Sequence, residues 1–170
     1  MPCLRFNLQS FSRIVRQVAT LSGLVLLIIG YAGLSEAETV ARVKSQTVYV
    51  PAYSHVLSGD RGLPFNVATT LGIRNTDFKH PITIASADYY DSQGKLVKKY
   101  LEKPVVLGPL ASTDIFIKER DEHGGFGASF IVSWQSQIAV SEPVIECVII
   151  GAKSGQGISF ISPGRVLMSN

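Results

Sequence analysis

The residue types able to do chemistry here are few: His55, His80, His123 and, past the first forty residues, a lone Cys147. None of these four stands two or four residues from another of them, so the sequence contains no local His/Cys zinc site and implies no cofactor. No Gly-x-Ser-x-Gly elbow is present. Cys147 lies between aliphatic residues in Val144–Ile150, next to Glu146, whose charge opposes thiolate formation. It reads as a small core residue. Ser54 and His55 are adjacent, and neighbours on a strand point to opposite faces, so they do not form a nucleophile–base pair there. The enzymatic alternative is a hydrolase of envelope polysaccharide or peptide, acting through a carboxylate pair or His55.

Three short stretches are better suited to binding than to catalysis. Arg74-Asn-Thr-Asp77 ends an alternating segment and opens a turn. Its guanidinium either pairs with Asp77, or with Asp88 on the next strand, or stays free for a carboxylate or carbohydrate. Asp88-Tyr-Tyr-Asp91 sets two aromatic rings and two acids beside a turn, where tyrosines stack on a sugar or a partner protein. His123-Gly-Gly-Phe-Gly127 matches neither a dinucleotide fingerprint nor a phosphate loop, because neither the lysine nor a helical pattern follows. Its glycines serve either a tight connection or a backbone nest for an anion or sugar hydroxyl. The candidate ligand-binding residues are therefore Arg74, Asn75, Asp77, Tyr89, Tyr90, His123, Gly124 and Gly125.

The elements that must position these residues are strands. Val67, Thr69, Leu71 and Ile73 alternate on one face, as do Phe130, Val132 and Trp134. Residues 81–90 and 95–101 flank the turn Asp91–Gly94 as a hairpin, and the lysines of the second arm mark it as a guarded edge. Residues 144–150 are apolar on both faces and read as a central strand. Shorter strands are expected at 47–50, ended or confined to an edge by Pro51, and at 113–118 and 157–161. No amphipathic helix appears after the first forty residues. The pattern predicts an all-β fold: an antiparallel β-sandwich of about seven or eight strands, of immunoglobulin or fibronectin size, preceded by an N-terminal signal helix. A barrel is the alternative.

The start of the chain is organised differently. Arg5, Arg13 and Arg16 precede an apolar run, Leu21–Ala32, and Ser35-Glu-Ala37 supplies small residues for a cut after Ala37. That order is a signal peptide, and the run is shorter than the roughly 20 residues a membrane span needs. Residues 1–37 are thus a leader, with an uncleaved anchor as the alternative, and 38–170 a single domain in the periplasm or secreted. The 170 residues carry 16 basic and 13 acidic side chains, and the chain beyond residue 37 has 13 and 12. So small an excess argues against nucleic acid as a partner.

The stretches Tyr49–His55, Leu71–Asp77, Tyr89–Val97, Leu110–Ser112, Gly124–Trp134 and Gly157–Phe160 resemble the bacterial domain-of-unknown-function family 3124. The resemblance implies a small exported protein and brings no activity and no catalytic residue. A weaker likeness, in the order of the Arg-Asn-Thr-Asp turn, the Tyr-Tyr-Asp strand end and the Pro-Leu-Ala-Ser stretch, is to the sensory rhodopsin transducer family. That likeness implies oligomers and ligand or partner binding. The function expected is that of an exported, non-catalytic protein binding an envelope partner or a small ligand, carbohydrate included. Self-association and a structural role in an envelope assembly are the further readings, and a contiguous exposed apolar patch would favour the latter.

Overall fold

The structure is a computed structural model that describes residues 41–153 and 155–170. The expected leader, residues 1–37, lies outside the described residues. Those that are described form strands and turns and no helix. In chain order the strands are β1 (Arg42–Pro51), β2 (His55–Ser58), β3 (Leu63–Asn66), β4 (Ala68–Arg74), β5 (Ile82–Tyr90) and β6 (Leu96–Lys99). Then follow β7 (Val105–Leu107), β8 (Ser112–Ile117), β9 (Ser129–Ser141), β10 (Val144–Lys153), β11 (Gln156–Pro163) and β12 (Arg165–Ser169).

All pairings are antiparallel. One sheet has six strands, in the order β12-β1-β9-β5-β6, with β7 also on β5. A second has four, β11-β10-β4-β8, and β2 pairs with β3 alone. The expected seven or eight strands are corrected to twelve among the described residues. The four unforeseen ones lack a readable pattern. β2 and β3 flank a Gly59–Gly62 turn and include Pro64, β7 has three residues, and β12 is exposed on both faces. Pro51 is the last residue of β1, an interior strand, so the proline ends the strand and does not mark an edge.

Alternation builds the core. Val67, Thr69, Leu71 and Ile73 are all buried, as are Phe130, Val132 and Trp134 on β9 and Ile145, Cys147 and Ile149 on β10. One hydrophobic cluster draws on residues of both larger sheets. Each large side chain fully buried there contributes roughly 1.5–3 kcal/mol. The indole Nε1 of Trp134 donates to Gln46 Oε1 at 3.2 Å, so its polar end is satisfied.

One irregularity decides where the tyrosines of β5 go. Ile82 and Ile84 are buried, and a bulge against β9 follows between Ile84 and Ser86. An extra residue reverses the facing of everything after it. Ala87 and Tyr89 therefore turn into the core, and Asp88 and Tyr90 turn outward, half-exposed.

Candidate functional site

The structure splits the expected binding residues into two clusters at opposite ends of β5, on the order of 25 Å apart at about 3.3 Å per residue. At the first end, Asn75 and Asp77 are buried and their side chains are used internally. The Asn75 amide nitrogen lies 2.9 Å from the carbonyl of His80, 3.2 Å from that of Leu107 and 2.8 Å from that of Gly108, and its oxygen accepts from Asp77 N at 3.0 Å. Asp77 accepts backbone N–H bonds from Lys79, His80 and Ser141, and pairs with Arg42 Nη2 at 3.0 Å and His80 Nδ1 at 3.1 Å. The Lys79 N–H, then those of Ser141 and His80, hold its carboxyl far below the usual range against the opposing effect of burial. This cluster is a corner brace.

Arg74 stands outside that corner. Its expected partners, Asp77 or Asp88, are corrected to Glu146, at 2.6 Å from Nη1. The reason is topological: β4 pairs with β8 and β10, so β5 and its Asp88 belong to the other sheet. Glu146 lies opposite Gly72, and the Arg74 guanidinium reaches it across that glycine, 3.5 Å from where a Cβ would stand.

At the other end of β5, Tyr89 is 1% exposed, and its hydroxyl lies 3.4 Å from Ser54 Oγ. Burial pushes its pKa up. The loop 121–127 packs over it. A Cβ on Gly124 would come 1.9 Å from the Tyr89 hydroxyl, so this position requires glycine. Ser92 ties the loop to the β5–β6 turn: its Oγ donates to Gly124 O at 3.0 Å and accepts from Gly127 N at 2.9 Å. Gly125 takes φ +73° and accepts from Ser54 N at 3.0 Å. The glycines serve close packing on Tyr89 and a turn.

Beside this loop lies a groove of about 350 Å³ between two edge strands, β6 and β8, lined by Lys98, Tyr100, Phe116, Lys118, Arg120, Asp121 and His123. Lys98 Nζ sits 4.4 Å above the Tyr100 ring, a cation–π contact. The Tyr100 ring packs inward against Tyr89 and Phe130, and burial raises its pKa. Phe116 is 56% exposed. Asp121 is already engaged by the backbone N–H and Nδ1 of His123, at 3.1 and 2.9 Å. Three cations thus face the groove against one acid that already has partners, so the groove favours negative charge.

Of the expected residues, only His123 lines this groove, with Gly124 and Gly125 adjoining it. Lys98, Tyr100, Phe116, Lys118 and Arg120 were missed. The lysines read as edge guards, and nothing local links residue 98 to residue 118. Cys147 is fully buried, and burial, with a smaller contribution from Glu146, pushes its thiol up to about 12. Among the described residues no three His, Cys, Asp or Glu side chains gather to hold a metal ion.

A family model described as "Protein of unknown function (DUF3124)" matches residues 45–167. No curated protein matches the chain. A solved structure, the crystal structure of Thermotoga maritima 1070, is similar at 14% identity and a TM-score of 0.43, covering 71% of this chain and 92% of that one.

Proposed function

The chain belongs to this family of proteins of unknown function, DUF3124, and from that premise we propose that it is an exported, non-catalytic β-sandwich binding a small anionic ligand in the β6–β8 groove. The observation that carries the reading is the placement of Lys98, Lys118 and Arg120 around Tyr100 and Phe116, with Asp121 already bonded to His123. The single core fed by alternate residues of both sheets supports the sandwich. The leader pattern of residues 1–37 supports export to the periplasm or beyond, with 38–170 as the working domain and an uncleaved anchor as the variant.

Calorimetric titration with an oligo-uronate, a sulfated disaccharide and a neutral sugar of the same size tests the reading. Either anion should bind, weaker as salt rises, and the neutral sugar should not. Failure of both anions to bind below about 1 mM would sink it. A second reading rests on the His123–Asp121 pair at the groove's rim. A carboxylate orients an imidazole in this way for general-base work, which supports the hydrolase alternative. Turnover of a bound saccharide, lost in His123→Ala while binding persists, would establish it.

A further inference from the structure

The six-stranded sheet ends in two unlike edges. β6 carries Lys98 and Lys99, with Lys95 and Lys103 on either side, and lysines keep foreign strands off an edge. The opposite edge is β12, and residues 156–170, which form it and β11 of the four-stranded sheet, contain one charged residue, Arg165. Val166, Leu167 and Met168 are 42%, 53% and 63% exposed although consecutive on one strand, so both faces of β12 are apolar and open. Among the described residues only β1 pairs with β12. The outer row of backbone N–H and C=O groups on β12 is therefore a template for another strand.

We infer that the strand completing this edge is β12 of a second copy, antiparallel across a two-fold axis, which joins the two six-stranded sheets into one. The charge pattern selects this occupant. In a two-fold apposition about Leu167, the apolar stretch Val166–Met168 of one copy lies alongside that of the other, and Arg165 lies alongside its Ser169. No like charges meet, and apolar side chains cover apolar side chains. The heterologous alternative, β12 on β6 of the next copy, sets Val166 to Met168 against Lys98 and Lys99 and leaves an open-ended filament. Leu167 is also the extra residue of a bulge opposite Thr47 and Val48, so the new hydrogen bonds fall on its flanks. The lysine-lined groove lies at the far margin of the sheet. A dimer built through β12 carries two free grooves, and a long polyanion then meets two linked sites.

Sedimentation equilibrium on the protein as exported decides the matter. The wild type should be a dimer at about 100 µM, and Met168→Lys a folded monomer at the same concentration, melting where the wild type melts when diluted to monomer. A Leu167→Cys variant should form a covalent dimer on mild oxidation, because the native Cys147 is buried and does not compete. This second variant decides the question if Met168→Lys fails to fold. A wild type monomeric at that concentration without crosslinking overturns the inference. So does a dimer that survives Met168→Lys and leaves Leu167→Cys uncrosslinked.

Discussion

The two lateral margins of this protein are built from similar edge strands and opposite side chains. On one margin, β6, β8 and the chain between them hold nine charged residues in 95–120, six of them basic. On the other, β11 and β12 hold one charged residue in 156–170. Edge strands expose the same unpaired backbone groups wherever they occur, so the side chains decide what each margin admits. The basic margin repels strands and attracts anions. The other, with Arg165 as its one charge, has no such barrier.

Exchanging these characters should give the largest effect. Lys98→Val with Lys99→Val removes the guards from β6, and light scattering should show assemblies beyond the dimer, growing with concentration. If the double variant stays at the wild-type mass, the lysines are not what separates the two margins. Next in size is charge reversal in the groove. Lys118→Glu with Arg120→Glu should weaken binding of the anionic probe at least about tenfold by calorimetry, since each lost charge-assisted bond is worth roughly 1.5–3 kcal/mol. Arg165→Glu, on the other margin, should leave that affinity unchanged.

A third test concerns what holds the basic margin in shape. Gly124→Ala pushes a methyl group into the Tyr89 hydroxyl and should cost about 1–3 kcal/mol in urea unfolding. Gly94→Ala, at φ +76° with open space around it, should cost about 1 kcal/mol from backbone strain alone. Equal losses would mean the loop yields freely.

The Asp77 corner belongs to neither margin and serves as a control. Its carboxyl is held far below the ordinary value near 4, so its stabilising contribution is complete above that value. The contribution is lost as pH falls below it toward the depressed folded value. The stability gap between wild type and Asp77→Asn should therefore be widest near neutrality and shrink below about pH 4, with ligand affinity at neutral pH unaffected. The smallest effect is expected for Arg74→Ala. Its pair with Glu146 is half open to solvent, so the loss should stay within about 1 kcal/mol, and groove binding should not change.

Much of the fold was legible because it repeats every two residues. The buried faces of β4 and β9, the central position of β10, the lysine-guarded edge β6 and the turn at Asp91–Gly94 all follow from alternation and turn residues. Legibility ended where the period broke. The bulge in β5 reverses its facing, so Tyr89 fills the core although its sequence neighbours suggested a presented ring. β12 was invisible because a strand exposed on both faces has no alternation to read. The candidate site was less legible still, since Asn75 and Asp77 look the same in a presented turn and in a buried brace.

By itself, the sequence determined the all-β class, the family and most of the buried faces, because these depend on residue type and near neighbours along the chain. Only the tertiary structure decided which residues share a site. Lys98 and Lys118 are twenty residues apart and meet because the edges of two different sheets come side by side. Arg74 pairs with Glu146 because β4 lies next to β10 and not next to β5. Such contacts depend on sheet order, and sheet order comes from how the whole chain buries its apolar faces.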